Sequence, residues 1–269
     1  MTTSKSISSP LAIVVFDIDG VIRDVTGSHF RAVSDTVKYF TEGSFYPNQE
    51  EIDHLLSEGI WNNDYQLSQE LVYRYYESQG KPRDKVVLDF QLLVNVFEHI
   101  YWGDESSNTP GYIHEEKLLV TPSYFDHITQ AGILWGFFTG ATRLSAEYVL
   151  ENCLGLKSPF LFTIEDGPGK PEPIGLFTVV KQLEISHQME RSLPVIFAGD
   201  TVTEQETINR ARKIDPTRKW IGIGILPPHI QKSDTQTKTY TRDLVQSGAQ
   251  EVILSIEHLT AEKITFLIQ

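Results

Sequence analysis

The sequence is poor in cysteine and in long hydrophobic runs, and both absences limit what the protein can be. A single thiol, Cys153, cannot form a disulfide within the chain, which is typical of a reducing cytosol. Its place in a predicted helix favours a packed core residue over a nucleophile. No segment approaches the roughly 20 apolar residues of a membrane helix, and no signal-type hydrophobic region follows the polar start. We therefore predict a cytoplasmic protein that does not enter the membrane.

Basic residues are also scarce, since 23 Lys and Arg stand against 36 Asp and Glu, for a formal net charge of −13. This balance argues against nonspecific binding of nucleic acid, which needs a basic face. An acidic excess of this size usually serves solubility. The hydrophobic share of 40% and the charged share of 22% are ordinary for a soluble globular protein. Nothing in the composition indicates an oligomeric state.

The order of apolar patterns predicts an α/β fold with a helical insertion. Residues 11–16 form an apolar run typical of a buried strand, whereas residues 26–121 show helical spacing and no convincing buried strand. From residue 122 onward strands alternate with helices, as in βαβ units. The predicted strands cover 133–138, 160–162, 194–198, 220–225 and 252–254, and the predicted helices cover 143–152, 173–184 and 204–213. We therefore predict a flexible tail at 1–10, a doubly wound parallel-sheet core at 11–25 and 122–269, and an inserted α-helical cap domain at 26–121.

Two carboxylates, Asp17 and Asp19, follow the first predicted strand, and Gly20 lets the chain turn there. Ligands bind at the carboxyl ends of strands in open parallel sheets. Carboxylates this close repel each other unless a cation or a shared proton relieves them. The pattern indicates a hard divalent metal, and Mg²⁺ is favoured because it takes few carboxylates and keeps its waters. The alternative is a plain turn, in which Asp and Gly are common.

The strand at 133–138 also ends in polar residues. Thr139 follows it directly, and the amides of Gly140 and Ala141 come next, at the start of a predicted helix. A hydroxyl and free amide hydrogens in this position favour an anion site. Thr142 fits better as the N-cap of that helix, the commoner role for such a residue.

Further along the chain, Lys170 lies among turn residues, where most lysines are solvated surface charges. Asp200 follows the strand at 194–198, and Glu204 opens the next helix. Both carboxylates also fit as cap and dipole partners of that helix. Each of these signals is weak alone, and their order along the chain makes them specific together.

The four segments resemble the motifs of the haloacid dehalogenase superfamily of aspartate-nucleophile phosphotransferases. They are Asp17–Val21 (DIDGV), Thr139–Gly140, Gly169–Pro173 (GKPEP) and Gly199–Glu204 (GDTVTE). The helical insertion after the first motif is similar to the cap of the phosphoglycolate phosphatase and β-phosphoglucomutase branch. The resemblance covers nearly the whole chain from residue 11. It implies a Rossmann-like core, dependence on Mg²⁺ and an aspartyl-phosphate intermediate.

The resemblance also implies a role for each motif residue. Asp17 is the expected nucleophile and Asp19 the expected general acid and base, and a backbone carbonyl of Asp19 is expected to hold the metal together with Asp17 and Asp200. Family members often have Asp where Glu204 stands, which makes its part as a metal ligand less secure. Thr139, Gly140 and Ala141 are expected to bind the phosphate oxygens, and Lys170 to offset charge on the nucleophile.

Three other residues are candidates for binding the substrate. Asn62 and Asn63 place two adjacent amides between aromatic residues of the cap, where they fit either a polar leaving group or the cap of the next helix. Arg23, just past the nucleophile, is expected to contact a substrate phosphate or carboxylate, or to pair with Asp24.

The predicted activity is hydrolysis of a small soluble phosphomonoester. An acid at Asp19 argues against dehalogenation, because a halide leaves without a proton. Phosphonate cleavage needs a Schiff-base lysine in the cap, and the four lysines considered there lie in polar surroundings, namely Lys38, Lys81, Lys85 and Lys117. The alternatives are a sugar-phosphate mutase with the same intermediate and a noncatalytic phospho-ligand-binding or regulatory protein. The substrate itself is not predicted.

Overall fold

The computed structural model describes residues 10–269 apart from 57, 59, 62, 105–108, 190 and 191. Almost all of the predicted tail, and Asn62 with it, lies outside the described residues. The chain divides into two compact units. One, the sheet unit, contains residues 10–24 and Leu118–Gln269, and the other, the helical unit, contains Val25–Lys117.

Six strands form one parallel sheet in the sheet unit. In chain order the strands of the protein are β1 (Ala12–Phe16), β2 (Arg23–Asp24), β3 (Gly103–Asp104), β4 (Thr109–Pro110), β5 (Lys117–Leu118), β6 (Ile133–Phe138), β7 (Leu161–Phe162), β8 (Val195–Gly199), β9 (Trp220–Ile225) and β10 (Glu251–Ile253). The order across the sheet is β10-β9-β8-β1-β6-β7. The strands at 133–138 and 220–225 have the predicted bounds, and the other predicted strands of the core are confirmed within one residue at either end.

Helices cover both faces of this sheet and build the helical unit. In chain order they are α1 (His29–Phe40), α2 (Gln49–Leu56), α3 (Asp64–Ser78), α4 (Phe90–Trp102), α5 (Pro122–Gln130), α6 (Arg143–Glu147), α7 (Ile174–Ser186), α8 (Val202–Ile214), α9 (Asp234–Gln246) and α10 (Ala261–Ile268). α6 continues as a π-helical turn over Tyr148–Cys153, and single 3₁₀ turns occupy Arg83–Lys85, Tyr112–Glu115, Ile230–Lys232 and Ile256–His258.

Strand β1 shows why the sheet has two cores. All five of its residues are buried, and successive side chains point to opposite faces. Val14 and Phe16 pack with Phe125 of α5 on one face. Ile13 and Val15 pack with residues of α7 and α8 on the other. Burial on both faces explains the continuous apolar run in the sequence and confirms the doubly wound α/β core.

The helical unit is organised around α1, which packs against α3 and α4. The apolar positions that recur at helical spacing face its interior, including Val33, Val37, Leu67 and Leu71. Gly103–Asp104 and Thr109–Pro110 form a short antiparallel pair, in which Gly103 lies opposite Pro110. Gly103 has a φ of 85°, and a side chain there would meet the Thr109 backbone oxygen at 2.3 Å.

Parts of the sheet unit differ from prediction. Helices α5 and α9 were not predicted, and α9 is strongly polar, with only Leu244 buried along it. Cys153 is exposed at the end of the π-helical turn, so the prediction of a packed core thiol was wrong. Throughout the described residues, every helix is too short or too polar to span a lipid bilayer.

Candidate functional site

Three of the predicted site residues lie at the carboxyl edge of the sheet. Asp17 follows β1, and its backbone N–H donates to the Ala198 carbonyl of β8 at 2.9 Å. Asp200 follows β8, and Thr139 follows β6 on the other side of β1. The chain runs from β1 to β6 and β7 and then crosses to β8, so strand order reverses at β1. Ligands of open α/β sheets bind at such a reversal.

Lys170 lies between two carboxylates of the site, those of Asp17 and Glu204. Its Nζ lies 2.8 Å from Asp17 Oδ1 and 2.7 Å from Glu204 Oε1, and all three side chains are buried. Asp17, Asp200 and Glu204 each bring one carboxylate oxygen within 4.8 Å of the others. We call these three carboxylates and Lys170 the strand-end cluster.

Two glycines make room for this cluster. Gly20 has a φ of 75°, and a Cβ built on it would lie 2.1 Å from Asp200 Oδ2. A Cβ on Gly199 would lie 2.1 Å from Glu204 Cγ. Because both contacts are far shorter than any tolerated Cβ contact, a side chain at either position would displace a carboxylate.

Burial and like charge dominate the electrostatics of the cluster. Burial raises the pKa of Asp17 to about 6, with Glu204 and Asp19 adding to the rise and Lys170 opposing it. Burial, followed by the charges of Glu204 and Asp17, also raises the pKa of Asp200 well above its usual range. Burial alone would lower the pKa of Lys170, but the charges of Asp17 and Glu204 raise it.

A divalent cation fits this arrangement. Three carboxylates share one ammonium group, so the cluster carries excess negative charge in a poorly solvated place. Among the described residues, no donor makes a directed hydrogen bond to Asp17 Oδ1, although the Lys170 ammonium lies in contact with it. The buried acidic triad is therefore able to bind a metal, and oxygen ligands of this kind suit Mg²⁺.

Glu204 already has other partners. Its Oε1 accepts from Lys170, and its Oε2 accepts from the Thr201 backbone N–H at 2.8 Å and from the Thr201 hydroxyl. Thr201 in turn caps α8, which completes a capping box. The T-x-x-E pattern of that box is visible in the sequence, and the predicted cap role of Glu204 is confirmed. Its role as a metal ligand stays a prediction.

Asp19 and Arg23 form a separate ion pair beside the cluster. Arg23 Nε donates to Asp19 Oδ1 at 2.6 Å, and Arg23 Nη2 donates to Ser145 Oγ at 2.8 Å. The Arg23 side chain is 0% exposed, whereas Asp19 is 27% exposed. A contact between Arg23 and substrate was predicted, but this conformation offers no accessible guanidinium for it. Arg23 pairs with Asp19 here, and sequence reasoning missed its contact with Ser145.

The Thr139 segment is held by its own hydrogen bonds. The Thr139 N–H donates to the Phe162 carbonyl at 3.0 Å, and the Ala141 N–H donates to Thr139 Oγ1 at 3.1 Å. The Ala141 amide is therefore directed at Thr139 in this conformation. Gly140 is exposed. Thr142 Oγ1 accepts from the Ser145 N–H as the N-cap of α6, as predicted.

In the helical unit, Asn63 is the N-cap of α3. Its Oδ1 accepts from the N–H groups of Tyr65 at 3.0 Å and Gln66 at 3.2 Å. The capping alternative is thus confirmed for Asn63, and its predicted contact with substrate stays untested. The four lysines considered for a Schiff base are all exposed, which leaves them without the desolvation that activates such a lysine.

A family model agrees with this geometry. The model of the haloacid dehalogenase-like hydrolases matches residues 11–211, which is well over half of the chain. The chain belongs to the haloacid dehalogenase-like hydrolases. The predicted resemblance is confirmed, and with it the Rossmann-like core.

Solved structures share this fold at low identity. The phosphatase Tt82 from Thermococcus thioreducens has a TM-score of 0.61 and 22% identity, over 79% of this chain and 92% of that one. A phosphonoacetaldehyde hydrolase-like protein from Oleispira antarctica has a TM-score of 0.63 and 16% identity, over 99% and 96%. CbbY from Rhodobacter sphaeroides, in complex with phosphate, has a TM-score of 0.58 and 15% identity, over 93% and 96%. Likeness at this level concerns the fold.

A curated relative is named imidazoleglycerol-phosphate dehydratase, from Phytophthora nicotianae. It is 26% identical over 253 residues, which cover 91% of this chain and 51% of the relative. The chain therefore spans about half the length of this relative.

Proposed function

We propose that this hydrolase is a Mg²⁺-dependent phosphatase that acts on a small soluble phosphomonoester through an aspartyl-phosphate on Asp17. The observation that carries the proposal is the strand-end cluster, in which a buried carboxylate contacts one lysine and lies within 4.8 Å of two further carboxylates at the sheet edge. The side chains of Asp17 and Asp200, with a backbone carbonyl of Asp19, would hold Mg²⁺, and Glu204 would lie beside them. We assign Val25–Lys117 as the cap of the enzyme.

In the first step a carboxylate oxygen of Asp17 attacks phosphorus, and the bond between phosphorus and the ester oxygen breaks. An ionised carboxylate needs no base to act as a nucleophile. Asp19 gives its proton to the leaving alkoxide. Thr139 and the Gly140 amide hold phosphoryl oxygens, and Lys170 offsets charge on Asp17. A bound Mg²⁺ supplies charge neutralisation and orientation of the phosphoryl group.

In the second step water attacks phosphorus of the aspartyl-phosphate. Asp19, now ionised, accepts a proton from that water. The bond between phosphorus and the Asp17 oxygen breaks, which releases inorganic phosphate and restores the Asp17 carboxylate. One carboxyl group at Asp19 thus serves both steps, because each step returns it to the form that the other requires.

The test is phosphate release from a panel of phosphomonoesters, with Mg²⁺ and with a chelator, by the wild type and Asp17→Asn. The panel holds phosphoglycolate, sugar phosphates, nucleotides and amino-alcohol phosphates. An imidazole-bearing phosphomonoester is added because of the name of the Phytophthora nicotianae relative. We expect metal-dependent release by the wild type and a loss of at least about 10³-fold in Asp17→Asn, since the nucleophile is removed.

The same panel separates the alternatives. Turnover that requires a sugar bisphosphate activator would indicate a mutase with the same intermediate. Binding of the esters without release of phosphate would indicate a noncatalytic phospho-ligand-binding protein, and either result would overturn the phosphatase assignment.

A further inference from the structure

Arg23 is the largest fully buried side chain among the described residues. A buried guanidinium is costly unless charge and hydrogen-bond acceptors compensate it. One compensating carboxylate is Asp19, which is itself partly exposed at the sheet edge. An ion pair of this kind is weak evidence for a contribution to stability alone. We infer that Arg23 is a positioning residue, which fixes the Asp19 carboxylate for proton transfer, and this inference rests on the proposed phosphatase function.

The backbone brings the two side chains together. The Ile22 N–H and the Arg23 N–H both donate to the Ile18 carbonyl, at 2.7 Å and 3.2 Å. The Gly20 N–H donates back to the Arg23 carbonyl at 2.9 Å. This tight turn sets Asp19 beside Arg23 whatever the rest of the site contains. The ion pair is therefore part of the nucleophile loop itself.

Ser145 anchors the other side of the guanidinium. It lies in the first turn of α6, where its N–H donates to the capping hydroxyl of Thr142. Its Oγ accepts from Arg23 Nη2 at 2.8 Å. α6 begins directly after the segment proposed to bind phosphate. Arg23 thus connects the proton-transferring carboxylate to the helix that follows the phosphate-binding segment.

The geometry limits how Asp19 moves. An Asp side chain has two rotatable bonds, so an unrestrained carboxylate samples several orientations. The charge-assisted bond from Arg23 Nε to Asp19 Oδ1, at 2.6 Å, restrains the orientation of the carboxylate. Arg23 has no exposed surface and cannot follow Asp19 outward. A misplacement of about 1 Å at a reacting group costs as much as about 10²-fold in rate.

The test compares two esters that differ in their need for a proton. The phenol of 4-nitrophenyl phosphate is acidic and leaves with little help, whereas an alkoxide requires the proton from Asp19. We expect Arg23→Gln to lower kcat/KM, which reports transfer of the phosphoryl group to Asp17 and not the shared hydrolysis of the aspartyl-phosphate, at least about 10-fold more on the best alkyl ester of the panel than on 4-nitrophenyl phosphate. KM should stay within about two-fold for both esters.

Three further variants sharpen the result. Arg23→Lys keeps the charge and should restore part of the alkyl-ester rate. Ser145→Ala leaves the Asp19 pair in place but loosens the guanidinium, so a smaller shift of about three-fold in the ester ratio is expected. Arg218→Lys is the matched control, because Arg218 pairs with Glu184 at 2.8 Å and takes no part in the site. Its ester ratio should equal that of the wild type.

Two results would overturn the inference while the phosphatase survives. An equal loss of kcat/KM on both esters in Arg23→Gln would show a merely structural role. A raised KM on both esters would show a substrate contact instead. If Arg23→Gln does not fold, unchanged ester ratios in both Arg23→Lys and Ser145→Ala overturn the inference. A wild type that releases phosphate from neither ester overturns the proposed function itself.

Discussion

Each compact unit contains a nearly buried carboxylate beside basic groups, and these two carboxylates differ in the number of basic side chains that surround them. Glu70 of the helical unit is 6% exposed and accepts hydrogen bonds from Arg74 and Arg83. Asp17 of the sheet unit is 8% exposed, yet its only basic neighbour within ion-pair distance, among the described residues, is Lys170, which also contacts a second carboxylate. Two guanidinium groups contact one buried carboxylate in the first case, although each also pairs with a more exposed glutamate, and one ammonium group contacts two buried carboxylates in the second.

The pKa values move in opposite directions as a result. Burial alone would raise the pKa of Glu70, but hydrogen bonds from Arg83 and Arg74 lower it. At Asp17 burial wins over Lys170, and the pKa rises to about 6. Glu70 therefore has the partners that a structural ion pair needs. Asp17 has fewer basic partners than a buried ionised carboxylate requires, which is typical of a site that binds a further cation.

The largest expected effect is the loss of turnover in Asp19→Ala, which tests proton transfer separately from cation binding. Asp19 already has Arg23 as a partner, so we expect Mg²⁺ to bind at the strand-end cluster. We expect Asp19→Ala to lower turnover by about 10²- to 10⁴-fold. The increase in Tm that Mg²⁺ gives the wild type should largely persist, because the Asp17 and Asp200 side chains remain. Initial rates and thermal denaturation, with Mg²⁺ and with chelator, measure both.

The control for this experiment is Asp200→Asn, which keeps Asp19 but removes a carboxylate of the cluster. Its Tm should no longer respond to Mg²⁺. Wild-type turnover in Asp19→Ala would exclude the acid–base role. A Mg²⁺ response that vanishes in Asp19→Ala but persists in Asp200→Asn would place the cation elsewhere.

The sequence predicted the sheet edge well because its strands are buried on both faces. β1 and β8 are continuous apolar runs, and each is followed directly by a carboxylate, so the position of Asp17 and Asp200 depends only on local pattern. The order of strands, which places β8 beside β1, was not predicted and is read from the structure. The strands themselves required no knowledge of side-chain contacts.

Long-range contacts could not be predicted in the same way. Arg23 and Asp19 are four residues apart, but Ser145 is 122 residues away from Arg23, and no local pattern connects them. Arginine is almost never fully buried unless it is paired, so a substrate contact was the natural expectation. The exposure of Cys153 likewise depends on how the π-helical turn packs, which helical spacing alone does not reveal.

A smaller effect, on the free energy of unfolding, tests the contrast between Glu70 and Asp17. Glu70→Gln removes the charge that Arg74 and Arg83 share, and we expect the free energy of unfolding to fall by about 1–3 kcal/mol. Asp17→Asn removes a charge that burial disfavours, so in chelator at neutral pH we expect a rise of about 1–3 kcal/mol. Urea denaturation of both variants and the wild type measures the difference. Equal signs would contradict the contrast between the two carboxylates.

The smallest expected effect is the pH dependence of that difference. The folded pKa of Asp17, about 6, lies above its ordinary 3.8. Between these values the folded state binds the proton more tightly than the unfolded state does, so ionisation of Asp17 lowers the stability of the wild type as pH rises. We therefore expect the stability of Asp17→Asn relative to the wild type, measured in chelator, to grow from about pH 4 to pH 6, by about 1 kcal/mol per pH unit, and then to level off.

The folded pKa of Glu70 lies below its ordinary 4.5, so its stabilisation is complete above that value and is lost as pH falls below it. The stability of Glu70→Gln relative to the wild type should therefore stay constant between pH 5 and pH 7. If the relative stability of both variants rose in parallel with pH, the pKa values of the two carboxylates would not be shifted in opposite directions.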